Sequence, residues 1–409
     1  MMVGLRCWKK DLTRYLNKTM FPRDSKKPYY IYAPPYRSVS AGIKSLYLLC
    51  HHLNLKGESA YIYLDLSLKS NLNSYDSLFY NLNIKFLDNK VIRFHKDNDY
   101  DPIVIYSDTV DGNPINASNI VRYMMNYDGA LKSISKIENE LNFGYSQRIS
   151  ESLNMQKDRV LFIPVSDPGI FFPPKDGVKK EGSCVYLGKY RDYHGGKEED
   201  LTKTLVKIGR VSGEDLSQNG VVKLLQESQF CYVYENTSIA IEAVLCGCAV
   251  VFIPNKFLKK DNVHLSRNEV GVDGFALDTS KKEISRAKDT VKKGRENYLG
   301  SMDLFQKQLD NFIEVVRETF SKKEKNEINE MGGIEVYLTS ESLELVESQK
   351  EFDQRALHFR NNFPSNKCTQ KVKLLSSDKR ISLKTKIEIK EGNFGRRIRN
   401  ILTKITSYD

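Results

Sequence analysis

Short apolar runs alternate with helical segments between residues 29 and 320, and this alternation limits the chain to a small group of folds. The first unit reads as a strand over 29–36, a helix over 40–57 and a second strand over 60–66. The helix begins in a small-residue turn and stops at Gly57, which are common start and stop signals. Strands that alternate with helices in this way predict parallel sheets covered by helices.

The same alternation continues along the chain and predicts two α/β domains in tandem. We expect further strands over 102–110, 159–165, 204–210, 230–235 and 249–254, a strand with a turn over 183–191, and helices over 117–126, 219–228, 238–247 and 283–320. A proline-rich segment over 167–177 separates the two regions. The predicted domains are therefore 1–175 and 176–320, followed by a basic extension over 321–409.

Composition supports a soluble chain with two cores. The chain has 409 residues, of which 40% are hydrophobic and 11% aromatic. Its start carries charges every few residues, and no run of about 18 uncharged apolar residues follows, so we expect neither a secretory signal nor a membrane span. Seven cysteines are an odd number in a large chain. We interpret them as reduced, mostly buried thiols of a cytoplasmic protein.

The positive charge is concentrated in the tail. Residues 371–409 contain eleven Lys and Arg against four Asp and Glu, which gives +7 of the net charge of +11. Within the tail, residues 392–409 place apolar residues on one helical face and basic residues on the rest, so we expect contact with an anionic membrane surface or a partner enzyme. No module of interleaved aromatic and basic residues accompanies the charge, so nucleic acid is not an expected partner.

One loop in the second domain combines several polar groups between two apolar runs. It contains Glu235, Asn236, Thr237 and Ser238, and it leads into a predicted helix that carries Glu242. Ligands of α/β sheets bind where strands pass into helices, and the N-terminus of a helix favours an anionic group. Plain helix capping is the alternative for Thr237 and Ser238. Glu242 needs a partner in so apolar a helix, so we expect it to bind a ligand.

Three cations follow other strands of the second domain and could neutralise an anionic ligand. They are Lys189, Arg191 and Arg210. An ion pair of this type is strong, and Arg can hold two phosphate oxygens at once. The alternative for each is a solvated loop charge.

Three stretches resemble a known family: IYAPPYRSVSAGIKSLYLLCHHLNLKG, SDTVDGNPINASNIVRYMMN and YENTSIAIEAVLCGCAVVFIP. Together with YLGKYR they are similar to bacterial GT-B glycosyltransferases of surface polysaccharide or lipopolysaccharide biosynthesis. The resemblance covers residues 28–320 and implies two Rossmann-like domains that face a cleft. It also implies a nucleotide-sugar donor as co-substrate and a glycan or lipid-linked glycan acceptor.

The resemblance implies roles for individual residues. The acid that precedes Ala in the family's motif holds the ribose, and this position is Glu242. Gly42 lies where the first domain approaches the donor phosphate, and Asp108 lies where a base could take a proton from the acceptor. Glu235 is expected to act in catalysis, although six residues separate it from Glu242 where the family's commonest retaining motif has seven. Asp108 could instead be a turn-forming residue.

No Asp-x-Asp motif follows a predicted strand, and the acidic segment 97–101 precedes one. We therefore expect metal-independent transfer without a cofactor, with Lys, Arg and a helix end supplying the positive charge. Three alternatives remain at this point: a nucleotide-sugar epimerase, an inactive scaffold of a polysaccharide assembly complex, and a nucleic-acid-binding protein.

Overall fold

The computed structural model describes most of the chain between residues 27 and 321, and two short segments of the tail. The described residues are 27–65, 79–127, 140–175, 178–209, 216–263, 265, 268–321, 374–375 and 386–387. Met1–Glu347 form one compact unit and Ser348–Asp409 another. The described residues of the first unit form two sheets of five strands each.

The first sheet is parallel throughout and has the strand order β2-β1-β3-β4-β5. Its strands are β1 (Tyr29–Ala33), β2 (Ala60–Leu64), β3 (Ile103–Ser107), β4 (Asn119–Met124) and β5 (Leu141–Gly144). The chain runs outward from β1 to β2 and then returns past β1 to β3. The winding direction therefore reverses between β1 and β3, which makes this pair the topological switch point of the sheet.

In the described part of the first half, the α-helices are α1 (Ala41–Leu55), α2 (Asn89–Asp97) and α3 (Gln147–Ser152). The Ser40 hydroxyl caps α1 by accepting a hydrogen bond from the backbone N–H of Ile43 at 3.4 Å. Gly57 follows its C-terminus with φ of +78°, a conformation that side chains disfavour. The expected helix over 40–57 is thus confirmed, since its start and stop signals are local.

The second sheet repeats the topology of the first. Its strands are β6 (Ser183–Tyr186), β7 (Val206–Lys207), β8 (Phe230–Val233), β9 (Ala249–Phe252) and β10 (Phe275–Ala276), in the parallel order β10-β9-β8-β6-β7. The helices that accompany it are α4 (Gly188–Asp192), α5 (Gln218–Glu227) and α6 (Ser238–Leu245). Its switch point lies between β6 and β8, which are direct neighbours.

Strands β8 and β9 show why an apolar run without alternation predicts a parallel sheet. Side chains on both faces of β9 are buried, because helices cover both faces. Cys231 on β8 is also fully buried. The five cysteines that the structure describes are free thiols and all are buried, as expected from the sequence.

One long helix, α7 (Lys281–Ser321), packs into the cores of both halves. Ala287 and Tyr298 are buried against the second half, while Phe305, Leu309 and Phe312 are buried in the core of the first. The apolar spacing of threes and fours in the sequence predicts this helix, and the structure confirms it. Two parallel α/β halves joined in this way confirm the expected fold class of two Rossmann-like sheets.

The carboxyl edges of the two sheets meet. Arg148, which follows β5, donates hydrogen bonds to the carbonyl oxygens of Lys260 at 3.2 Å and Val263 at 3.3 Å, in the segment that follows β9. The backbone N–H of Gln147 also donates to the Oε1 atom of Glu269 at 2.9 Å. Segments that follow the carboxyl ends of β5 in the first sheet and β9 in the second are therefore in contact.

Two sequence predictions about secondary structure are wrong. The segment 117–126 is not a helix but contains β4, whose six residues are all buried between β3 and β5. A central strand of a parallel sheet is buried on both faces, so its sequence does not show the strict alternation that would distinguish it from a helix. The segment 159–165 forms no strand, and only Val160 makes a bridge, to Gly144.

The second unit is described at two short strands. Strand β11 (Leu374–Leu375) pairs antiparallel with β12 (Lys386–Ile387). The predicted helix over 392–409 lies outside the described residues. Within the part of the chain that the structure describes, no helix is both long enough and apolar enough to cross a membrane.

Candidate functional site

The switch point of the second sheet brings Gly188 and Glu235 together. Gly188 follows β6 and Glu235 follows β8, and these strands pair in register from Ser183 opposite Phe230. Gly188 has φ of +50°, and a Cβ at this position would lie 2.6 Å from the Oε1 atom of Glu235 and 2.6 Å from the Tyr186 ring. Only glycine therefore allows the Glu235 carboxyl group to pack against the start of α4.

Glu235 is half-buried, and its carboxyl group titrates near neutrality. Burial raises the pKa of Glu235 to about 7, while the Lys189 ammonium and hydrogen bonds from the backbone of Lys189 and Tyr190 act in the opposite direction. The Tyr190 N–H donates to the Oε2 atom at 3.2 Å. A carboxyl group of this kind can be a hydrogen-bond donor below pH 7 and an acceptor above it.

The polar residues after Glu235 shape the start of α6. The Thr237 hydroxyl caps the helix by accepting a hydrogen bond from the Ile239 N–H at 3.3 Å. The Asn236 side-chain amide donates to the Asn262 carbonyl oxygen at 2.8 Å and so ties this loop to the segment after β9. Ser238 is the first residue of α6. Thr237 therefore caps the helix, which is the alternative role considered for it from the sequence. The N-terminus of α6 lies at the carboxyl edge of the sheet.

Glu242 lies within α6, further along the chain than the polar loop. It lies on the buried side of α6 and is only 1% exposed. Burial raises the pKa of the neighbouring Tyr298 phenol, and the nearby Glu242 carboxylate adds a smaller increase. The Tyr298 hydroxyl in turn accepts a hydrogen bond from the Ser166 N–H at 2.9 Å. Glu242 therefore lies near the junction between α6, α7 and the segment that joins the two halves.

The three predicted cations differ in their surroundings. Lys189 lies on α4 beside Glu235, where its charge opposes the increase in the pKa of that carboxyl group. Arg191, on the same short helix, forms an ion pair with Asp192 at 2.9 Å and its side chain is 47% exposed. Arg210 lies outside the described residues. Lys189 is thus the described cation that the structure brings to Glu235.

The switch point of the first sheet carries Gly42 and Asp108. Gly42 lies in the first turn of α1, where a Cβ would make ordinary contacts of 3.6 and 3.7 Å with the Met125 side chain. Asp108 follows β3, and its Oδ2 atom accepts a hydrogen bond from the Asn126 side-chain amide at 2.9 Å. Residues 125 and 126, which follow β4, therefore link the two predicted residues.

The Asp108 carboxyl group is buried and only partly satisfied. It is 8% exposed, and burial raises its pKa, while the hydrogen bond from Asn126 lowers it. Its Oδ1 atom is buried and has no hydrogen-bond partner among the described residues. A buried acceptor without a partner costs free energy, about 1–3 kcal/mol, so a ligand hydroxyl at this point would be favourable.

Sequence reasoning missed Gly188, Asn126 and Arg122. Gly188 stands in the LGKYR segment, but its contact with Glu235 requires knowledge that β6 and β8 are neighbours. Asn126 and Arg122 fall in the segment that the sequence predicted as a helix. If this segment had been predicted as a central strand next to β3, both residues would have been placed beside the loop that carries Asp108.

The structure describes no group of three or more His, Cys, Asp or Glu side chains in residues 27–321, as far as they are described, that could hold a metal ion. Metal-independent transfer stays a prediction.

Comparisons with known proteins find similarity only to solved structures. No protein-family model and no curated protein sequence matches the chain. A glycosyltransferase involved in avilamycin A biosynthesis is 14% identical and covers 73% of this chain and 99% of its own, with a TM-score of 0.41. A protein from Listeria monocytogenes, assigned as a UDP-N-acetylglucosamine 2-epimerase, is 13% identical over 74% of this chain and 99% of its own, with a TM-score of 0.38.

A third solved structure is an alpha-glucosyltransferase in complex with UDP and a 13-mer DNA. It is 12% identical and covers 71% of this chain and 95% of its own, with a TM-score of 0.36. At these TM-scores the similarities assign neither an activity nor a family to the chain. The parallel strand order of the two sheets establishes the fold independently of these similarities.

Proposed function

We propose that the chain is a glycosyltransferase that moves a sugar from a nucleotide-sugar donor to a glycan acceptor of the surface polysaccharide or lipopolysaccharide type. The observation that supports this most is that each sheet carries candidate site residues at its own switch point. One carries a carboxyl group with a near-neutral pKa beside a lysine and a helix N-terminus, and the other carries a buried carboxyl group with an unpaired oxygen. Open α/β sheets bind their ligands at such points.

The second half is the proposed donor side. A nucleoside diphosphate carries negative charge, which the N-terminus of α6 and the Lys189 ammonium would stabilise. Burial raises the pKa of Glu235 to about 7, so near neutrality much of it carries a proton and does not repel the diphosphate. Arg191, Arg210, Ser238 and Glu242 are further proposed donor contacts. No cofactor or metal ion takes part in this proposal.

The first half is the proposed acceptor side. Asp108 would accept the proton of the attacking acceptor hydroxyl as that oxygen bonds to the anomeric carbon and the nucleoside diphosphate leaves. Burial favours the protonated form of Asp108, so its carboxylate is a stronger base than an exposed one. The unpaired Oδ1 atom offers the position where such a hydroxyl would bind.

A thermal-shift screen of the full chain tests the donor proposal. The probes are UDP, dTDP and GDP with their glucose, mannose and N-acetylglucosamine sugars. A ligand in hundredfold excess over its dissociation constant should stabilise the fold by about 2.7 kcal/mol. No stabilisation by any nucleotide would contradict a donor site.

Turnover then separates the proposed reaction from its alternatives. We expect the selected donor to release nucleoside diphosphate when octyl hexosides are added as acceptors. Asp108→Asn should lower this rate about 10²- to 10⁴-fold while the dissociation constant for the nucleotide stays within twofold. An isomerised donor without acceptor would instead identify an epimerase, and binding without turnover would identify a scaffold.

The sequence of the tail extends this proposal to the place of action. The basic helical pattern over 392–409 is suited to an anionic surface, where each cation contributes about 1 kcal/mol. The enzyme would work in the cytoplasm and be held at the inner membrane face. Deleting 392–409 should abolish binding to phosphatidylglycerol vesicles at low salt and leave nucleotide binding unchanged. Equal vesicle binding by both proteins would exclude the anchor, and loss of solubility would favour packing on a partner enzyme.

A further inference from the structure

We propose that Arg122 and Asn126 are positioning residues that fix the Asp108 carboxylate for its reaction, an inference that rests on the function proposed above. Arg122 lies on the central strand β4 and Asn126 follows that strand. In this proposal neither residue binds a substrate directly. Both act through the loop between β3 and β4, which carries Asp108.

The Arg122 guanidinium group holds this loop from three points. Its Nη1 atom donates to the carbonyl oxygens of Val110 at 2.7 Å and Ser107 at 3.4 Å, and its Nη2 atom donates to Gly112 O at 2.8 Å. These carbonyl groups lie on both sides of Asp108 in the chain. The loop thus closes around a planar fork of donors whose geometry Lys does not reproduce.

Arg122 is itself held in one orientation. It is fully buried, and its Nε atom donates to the Oε2 atom of Glu140 at 2.6 Å. Its guanidinium group also lies over the Tyr106 ring, 5.2 Å from the centroid. The Tyr106 hydroxyl donates to Asn113 Oδ1 at 2.8 Å, so the far end of the loop is tied to the same cluster.

Two further bonds orient Asp108 within the fixed loop. Its backbone N–H donates to the Tyr123 carbonyl oxygen at 3.1 Å, and its Oδ2 atom accepts from the Asn126 amide at 2.9 Å. The bond from Asn126 occupies Oδ2 and leaves Oδ1 unpaired. The carboxyl group is therefore hydrogen-bonded through Oδ2, while Oδ1 is buried without a partner among the described residues.

A buried ion pair is weak evidence for a contribution to stability. Removing two charges from water costs about as much as their attraction returns, and well-packed apolar residues often serve as well. The Arg122–Glu140 pair is almost completely buried, yet every other bond that Arg122 donates goes to the loop of Asp108. The geometry therefore points to orientation of this loop.

Orientation matters because a general base must lie within hydrogen-bond reach of its proton, and a displacement of about 1 Å can lower a rate about 100-fold. In Arg122→Lys we expect the turnover number with the selected nucleotide sugar and octyl hexosides to fall about 100-fold. The dissociation constant for the nucleotide should stay within twofold, because the donor side belongs to the other half. Arg159→Lys is the control, since Arg159 also lies over an aromatic ring in this half but does not contact the loop.

A double-mutant cycle separates positioning from a structural role. If Arg122 acts through Asp108, Arg122→Lys should cause almost no further loss in an Asp108→Asn background. If the fold-decreases in turnover number of the two single variants multiplied in the double variant, the proposal would be overturned. Unchanged turnover in Arg122→Lys would overturn it as well. Asn126→Leu should behave in the same way as Arg122→Lys in this cycle.

Two measurements keep the inference testable if Arg122→Lys does not fold or if no donor is turned over. Glu140→Gln keeps the shape of the pair and should lower the turnover number less, by about 10-fold. In the Asp108→Asn background this substitution should have almost no further effect. Amide hydrogen exchange needs no substrate. The Asp108 and Val110 amides should exchange at least about 10-fold faster in Glu140→Gln than in the wild type or Arg159→Lys. Unchanged exchange would show that the pair does not fix the loop, whatever the reaction proves to be.

Discussion

The Oε1 atom of Glu235 lies 2.6 Å from the point where any residue other than glycine at position 188 would place its Cβ. Gly188 and Glu235 follow neighbouring strands, β6 and β8, so this contact joins the two loops of the switch point. The close packing removes water from the carboxyl group and raises its pKa to about 7. Backbone geometry at Gly188 and the ionisation of Glu235 are therefore coupled.

Substitution of Gly188 tests this coupling. Gly188→Ala should lower the free energy of unfolding by about 1–3 kcal/mol, because the new methyl group is strained at φ of +50° and collides with Glu235 and Tyr186. Gly182→Ala is the matched control, since Gly182 has φ of +69° but open space around it. Urea unfolding of both variants separates the collision from the backbone strain. Equal losses in the two variants would mean that the Glu235 contact is not tight.

Glu235 should make stability depend on pH. Its pKa rises from 4.5 to about 7 on folding, so the folded state keeps a proton that the unfolded state releases between these values. Stability from this group therefore falls as pH rises from about 4.5 to 7 and then levels off, at a cost of up to about 3 kcal/mol. Glu235→Gln removes the titration.

Relative to the wild type, the Gln variant should gain stability across this range and match it near pH 4. Urea midpoints at pH 4, 5.5 and 8 measure the difference, and background titrations cancel in the comparison. A difference that does not change with pH would contradict the near-neutral pKa. UDP affinity of the wild type should also fall above pH 7 and become less dependent on pH in the variant.

Glu242→Gln tests the proposed ribose contact. A lost hydrogen bond to a charged group is worth about 1.5–3 kcal/mol, so UDP binding should weaken about 10- to 150-fold by calorimetry. Glu296→Gln, an exposed change on α7, is the control. Because Glu242 is 1% exposed, lower stability with unchanged UDP affinity would identify it as a core residue instead.

Two glycines of α7 should respond in opposite directions to the same substitution. A Cβ at Gly294 would lie 2.1 Å from the Asp273 carbonyl oxygen, whereas Gly300 has open space around it. Gly300→Ala should stabilise the protein by about 0.5–1 kcal/mol through helix propensity. Gly294→Ala should destabilise it by at least about 1–3 kcal/mol, because backbone cannot yield easily. Thermal unfolding measures both, and a gain at Gly294 would contradict the packing of α7 on the second half.

The sequence predicts those features whose causes are local. Helix α1 has its cap at Ser40 and its stop at Gly57, and α6 follows the Thr237 cap, so short-range signals are sufficient. Strand β4 has no such signal. Its apolar residues are buried on both faces of the sheet. Its one charged residue, Arg122, suggests the polar side of a helix in the sequence, because its partner Glu140 is identified only by the structure.

The candidate site was predictable as a set of loops but not as a set of contacts. Glu235, Lys189 and Asp108 could be identified because each follows a predicted strand, and ligands of α/β sheets bind at the ends of strands. Which of these residues meet depends on strand order, which is a non-local property. Only the adjacency of β6 and β8 reveals why position 188 must be glycine, and only the structure reveals that Glu242 is almost completely buried.

Helix α7 also has a consequence for the order in which the protein folds during synthesis. The core of the first half includes Phe305, Leu309, Phe312, Val316 and Phe320, all supplied by the last part of this helix. Domains usually fold one by one as they leave the ribosome, the N-terminal one first. Here the first sheet is translated early but keeps an apolar surface exposed until residue 321 emerges. The nascent first half therefore depends on completion of the second, and a chain released near residue 300 would present that surface to chaperones or aggregate.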